Sequence, residues 1–184
     1  MNVVRASGPL TYDGSQLRSH WAFMTFGVEG DVIVYFIGPA QLRGDQLVDL
    51  ADQKSQALIR AANMLHFIAE HFNCDLPSAV LRQHLLCAIA AEVLSRISGT
   101  TIRREGDDLF VDDRKLSVSI ATVSPVSALI HLGINIDPAG APVPAIGLEE
   151  LGVDSDQAGE SIAHAYADEM RQVAAACTKV RWVE

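Results

Sequence analysis

The sequence is short of positive charge. Its 184 residues carry 14 Lys and Arg against 23 Asp and Glu, for a formal charge of −9. No basic stretch offsets that balance, which argues against a nucleic-acid partner, because phosphate contacts need clustered Lys and Arg. Arg103-Arg104 and Arg114-Lys115 are local basic spots, suited to a small anion rather than a polyanion. Cysteine is scarce as well. Cys74, Cys87 and Cys177 lack CxxC spacing and read as reduced, mostly buried thiols on helices. The N-terminus has no long apolar core of the signal-peptide kind, and nowhere do about 18 apolar residues run together. A soluble, cytoplasmic protein without a membrane partner is expected. There is no internal repeat, low-complexity tract or linker.

What is present is ordinary for a globular chain: 49% hydrophobic and 20% charged residues. The expectation is one α+β domain over residues 1–184, with a mostly antiparallel sheet packed by helices and a core needing no staples. Residues 7 to 21 are polar and loop-like, with a turn at Asp13-Gly14. There Asp13, Gln16, Arg18 and His20 crowd hydrogen-bonding groups beside aromatic residues, a mixture found in ligand pockets.

Asp31 to Ile37 is a β-branched and aromatic run that predicts a central strand ended by Gly38-Pro39, with Phe23 to Gly27 as a neighbouring strand. From Asp49 to Phe72 the period turns helical, with Leu58, Ala61, Leu65, Ile68 and Phe72 on one stripe. His66 and Glu70 would sit four apart on that helix. With no third ligand at useful spacing they read as a surface pair, not a metal site. A second helix, about Ser78 to Ser98, would bury Leu81, Leu85, Ala88, Ile89 and Val93, between Pro77 and Gly99. The two would form a hairpin over one sheet face. A final helix follows the capping box Asp154/Gln157, with Ile162, Ala163, Tyr166, Met170, Val173 and Cys177 as its buried stripe.

Between these helices lie strands, with Thr101 to Arg104 as one. Asp108 to Val111 and Arg114 to Val123 form a hairpin over Asp112-Asp113, and Leu129 to Ile136 alternates again. On a strand the side chains have a period of two, so Lys115, Ser117 and Ser119 point opposite to Leu116, Val118 and Ile120. Antiparallel pairing of the second and third strands would gather Lys115, Ser117, Ser119, His131 and Asn135 on one face as a candidate ligand site.

The segment Asp108-Leu109, Asp113-Arg114-Lys115-Leu116-Ser117 and Gly133-Ile134-Asn135-Ile136 resembles the catalytic motif of the biotin and lipoate protein ligases. Over its whole length the chain is identified as a member of the domain-of-unknown-function 366 family. The blocks are Tyr12 to Leu17, Met64 to Phe67 and Lys115 to Thr122. Its fold resembles the catalytic domain shared by biotin ligases and class II aminoacyl-tRNA synthetases. The resemblance implies that Lys115 contacts an acyl carbonyl and phosphate, that Asp108 lies near an adenylate, with Arg104 nearby, and that Asn135 adds polar contacts. The ammonium would stabilise negative charge developing on a carbonyl under attack.

The departures bear on the reaction. The ligases' Gly-Arg-Gly-Arg loop has no match, Val118 replaces a glycine, and Asp107 replaces an asparagine, so ATP as cofactor lacks its loop. Thr11 to Leu17 is similar to a motif of the lipoyl(octanoyl) transferases, but some thirty residues after Lys115 stand Glu149 and Glu150, with no cysteine nucleophile. A Ser15/His20 hydrolase lacks a Gly-x-Ser-x-Gly elbow. The expected partner is a small acyl or adenylated molecule, taken by a ligase or acyltransferase or by a non-catalytic module of the same fold. Homo-oligomerisation is left open.

Overall fold

The structure is a computed structural model and describes residues 1–8, 10–55 and 58–183. Strand β1 (Asn2–Arg5) runs parallel to β2 (Val32–Arg43). The run from Val32 to Ile37 is the expected central strand, but it does not stop at Gly38-Pro39. Pairing shifts between Gly38 and Ala40, and this bulge accommodates Pro39, which has no N–H to give a regular ladder.

Phe23 to Gly27 is not a strand. It belongs to α1 (Trp21–Phe26), which Gly27 ends in the left-handed conformation at φ 70°, its N–H donating to Phe23 O at 2.8 Å. The helix buries Trp21 and Ala22.

The largest departure is over Asp49 to Phe72. Only α2 (Leu50–Lys54) is helical, started by the Asp49 carboxylate, which accepts from the N–H groups of Ala51 and Asp52. Leu58–Phe72 is β3, a 15-residue strand. Its Ala- and Leu-rich composition favours helix. Burial on both faces decides otherwise, since Met64 through His71 are all buried, and a two-sided apolar strand mimics a helical stripe. His66 and Glu70 therefore do not pair as on a helix; Glu70 accepts from the His20 N–H and the Ser127 hydroxyl. Gln56 and Ala57 of the expected helix, and Pro9 of the N-terminal loop, lie outside the described residues.

The next helix, α3 (Leu76–Ser98), has the expected limits, with Asp75 capping its start and Gly99 its end. Its inner face is displaced from the expected one. Ala79, Gln83, Leu86, Cys87, Ala90 and Leu94 join Val93 inside, while Leu81 is 72% exposed. There is no helical hairpin with residues 49–72. Instead α3 packs beside α4 (Ser155–Cys177), whose start is capped by Asp154. Ile162, Ala163 and Tyr166 are buried as expected, but Val173 and Cys177 are exposed because α4 runs past the sheet. Of the cysteines only Cys87 is buried, and Cys74 precedes α3 rather than lying in it.

Three short strands, β4 (Arg103–Glu105), β5 (Asp108–Val111) and β6 (Arg114–Lys115), form a small sheet in that order. Its hairpin turns at Asp112, whose φ is 52°. Strands β7 (Ser117–Val123) and β8 (Ser127–Asp137) complete the main sheet, in the order β1-β2-β3-β8-β7, antiparallel except at β1. One face, with Tyr35, Phe67 and Ile134, packs under α3 and α4. Val34, Phe36 and Ile68 on the opposite face are covered by Tyr12, Trp21 and Leu42. The chain is therefore mixed α+β, and no helix among the described residues is long and apolar enough to cross a membrane.

Candidate functional site

A cleft of about 410 Å³ opens at the β7 edge of the main sheet. Leu42, Leu47, Ile59, Met64, Val118 and Ile120 give it an apolar lining, and Asp49, Asp52, Asp107, Asp108, Arg60 and Lys115 give it charge. That size and mixture suit a small organic ligand.

Lys115 is fixed through its backbone. Its N–H donates to Pro144 O at 2.9 Å, and its carbonyl accepts from the Ile146 N–H at 3.1 Å and the Asn135 side-chain amide at 3.2 Å. In the hairpin Lys115 lies opposite Phe110, so Asp108, two residues before Phe110, is its diagonal neighbour on the same face. Lys115 Nζ stands 2.7 Å from Asp108 Oδ2, each side chain 29% exposed. Burial raises the Asp108 pKa, against the pull of Lys115 and with the aid of Asp107 and Asp52. One ammonium hydrogen serves Asp108; the remaining two can reach a ligand. Arg103 is engaged with Glu105, Arg104 with the Gly106 carbonyl, and Arg114 with Glu150 at 2.6 Å.

The β7–β8 register corrects the expected face. Ser117 lies opposite Ile134 and Ser119 opposite Leu132, whereas Ile120 lies opposite His131 and Val118 opposite Gly133. The serines thus share the helix-side face, and His131 stands on the other. The chain changes sheets at Leu116, between β6 and β7, so alternation does not carry from Lys115 into β7. Ser117 Oγ accepts from the Leu109 N–H at 2.9 Å. Ser119 Oγ accepts from Gln83, which also donates to Asp107 at 2.8 Å. Because β7 is an edge, the cleft borders both faces, and Ser117, Ser119, His131 and Asn135 all line it.

Asp13, Gln16, Arg18, His20 and Arg104 are not among the lining residues. Asp13 accepts from the Ser15 N–H, and the buried Gln16 donates to Thr11 O at 2.9 Å, so both shape their own turn. Arg18 and His20 are exposed, and the His20 backbone answers Glu70.

The sequence offers Tyr12 only within a motif block and His66 only as half of a surface pair, and neither is expected at the site. Tyr12 lines the cleft and stacks on His131, ring centres 3.7 Å apart and planes 12° apart. His66 lies behind His131, its Nδ1 3.1 Å from His131 Nε2 and its Nε2 3.1 Å from Gly38 O. Burial lowers the pKa of both histidines, that of His66 to about 4. The signal for His66 was its place in a two-sided strand, legible only once residues 58–72 are read as β. No group of three or more His, Cys, Asp and Glu is placed to hold a metal among the described residues.

Residues 1–181 match the family model described as a domain of unknown function, DUF366, and the chain belongs to that family. It is 39% identical to the uncharacterized protein MJ0805 of Methanocaldococcus jannaschii over 180 residues, covering 94% of this chain and 81% of that one. A solved protein of unknown function from Pyrococcus horikoshi is 42% identical, with 100% and 99% coverage and a TM-score of 0.95. More distantly, the fold is that of the biotin and lipoate protein ligases. The biotin protein ligase of Aquifex aeolicus, in complex with biotin and ATP, gives a TM-score of 0.62 at 12% identity, over 93% of this chain and 71% of that one. Ta0514 of T. acidophilum, assigned as a lipoate protein ligase and holding lipoic acid, gives 0.61 at 10% identity, over 93% and 86%.

Proposed function

We propose that this chain binds a small carboxylic acid or its acyl derivative in the cleft, with Lys115 on the carbonyl oxygen, and passes the acyl group to an acceptor. The observation that carries the reading is the Lys115–Asp108 pair beside an apolar-lined cleft of about 410 Å³. The apolar walls suit an acyl chain, and the ammonium suits its oxygen end. When an acceptor N–H or O–H adds to the carbonyl carbon, the electron pair moves onto that oxygen. Lys115 stabilises it there until the leaving group departs with the acceptor's proton. Asp108 orients the ammonium. The fold neighbours that hold biotin and lipoic acid support this ligand class.

A second reading, a binding module without catalysis, is favoured by the four carboxylates lining the cleft, Asp49, Asp52, Asp107 and Asp108. They repel a bare polyphosphate, and the sequence has no adenylate loop. Thermal-shift screening with biotin, lipoic acid and octanoic acid, each with and without MgATP, tests both. Stabilisation by an acid is expected, and acyl transfer to added amines separates enzyme from module. No stabilisation by any acid contradicts the acyl reading.

A further inference from the structure

Tyr12 and His131 are each 3% exposed, line the cleft and form one stack. The hydroxyl of Tyr12 and Nδ1 of His131 have no hydrogen-bond partner among the described residues, and neither is sealed from the cleft. The structure also dictates which way the imidazole hydrogens point. Gly38 O can only accept, so His66 Nε2 carries its hydrogen and donates. In a neutral ring His66 Nδ1 is then bare, and it accepts from His131 Nε2. His131 has thus spent its one hydrogen inward, and its Nδ1 is a bare acceptor. Burial keeps both rings neutral and holds the hydrogen on Tyr12.

Donor and acceptor thus belong to one ring stack that lines the cleft: the Tyr12 hydroxyl offers a hydrogen and His131 Nδ1 takes one. Buried polar groups are rarely left unpaired, so their partner is a ligand or the water it displaces. We infer that Tyr12 and His131 recognise a ligand head group bearing an amide-type edge, an N–H beside a C=O, with His66 as the positioning residue that fixes the His131 tautomer. This rests on the reading that the cleft holds a ligand. Such an edge occurs in a ureido ring at the end of an acyl acid and in a nucleobase. A dithiolane or a plain alkyl end lacks it and would leave both groups unpaired.

Isothermal titration of the full chain with biotin, lipoic acid, octanoic acid and uridine tests the inference. Biotin or uridine should bind about tenfold or more tighter than lipoic and octanoic acids, the loss expected when a buried acceptor goes unpaired. His131→Phe should bring that ratio close to one. Uridine binding with no acid bound upholds this inference and overturns the acyl reading. Equal binding of biotin, lipoic acid and octanoic acid, untouched by His131→Phe, overturns the inference and leaves the acyl reading standing. Failure of every probe overturns both. Independently of ligand or variant, nitrogen-15 NMR of the native chain should place the His131 hydrogen on Nε2; a hydrogen on Nδ1 contradicts the inference.

Discussion

The side-chain amide of Asn135 donates to two main-chain carbonyls, Lys115 O and Ile146 O, each at 3.2 Å. One residue of β8 therefore ties the end of β6 to the loop that runs beside it. Asn135 also exchanges backbone bonds outside the ladder, its N–H donating to Leu116 O and its carbonyl accepting from Leu148. Its contribution to the site is to hold Lys115 in place.

Asn135→Ala is expected to destabilise the chain by about 1–3 kcal/mol, the cost of orphaning a buried polar group. Chemical denaturation measures this. Lys115 should lose its alignment with Asp108 as well, so binding of an acid probe should weaken beyond what the stability loss predicts. Asn135→Asp, whose carboxylate cannot donate and would face both carbonyl oxygens, should cost at least as much as the alanine variant.

Gly38 sits where the N-terminal segment crosses β2, and a Cβ there would lie 1.8 Å from the Leu10 carbonyl oxygen. Since that obstacle is backbone, Gly38→Ala should displace the segment that carries Tyr12 and disturb the Gly38 carbonyl that holds His66. A loss of about 3 kcal/mol or more places it among severe substitutions. A melting temperature equal to that of the native chain contradicts the crossing.

The buried His66–His131 pair makes stability depend on pH. Both folded-state pKa values lie below the ordinary 6.5, that of His66 at about 4. Below 6.5 the unfolded chain takes up protons that the folded chain refuses, so stability falls with pH from 6.5 towards 4. Each histidine contributes a slope of about 1.4 kcal/mol per pH unit within its window. Burial of His71 acts in the same direction. The raised Asp108 works oppositely, adding stability below 3.8 that is lost as pH rises through its folded value. The melting temperature should therefore drop between pH 6.5 and 4.5, and His66→Phe should flatten the slope. A flat native profile contradicts the buried neutral pair.

Much of this was legible in the sequence. The end of α3 follows from Gly99 and the start of α4 from Asp154, because caps are local chemistry, whereas the Asp75 cap starts α3 two residues before the expected Ser78. The Asp112-Asp113 hairpin follows from its turn residues, and the ligase resemblance implies that Asp108 and Lys115 lie near one ligand; their side chains stand 2.7 Å apart. What failed depended on surroundings. Residues 58–72 carry an apolar stripe that only two-sided burial resolves into a strand. Ser117 and His131 fall on opposite faces because Ile120 lies opposite His131, a pairing register that alternation along each strand cannot fix, and the change of sheet at Leu116 separates Lys115 from the alternation of β7. Tyr12 reaches the cleft through the crossing over Gly38, a long-range contact that no local pattern encodes.

On the proposed reading, Lys115 anchors a ligand in this cleft. Isothermal titration of the native chain and of Lys115→Ala, with the acid that gives the largest thermal shift, tests it most directly. Loss of the ammonium should weaken binding about tenfold or more, as for a charge-assisted hydrogen bond, without unfolding the chain. Equal affinity of the two proteins for that acid would contradict the account.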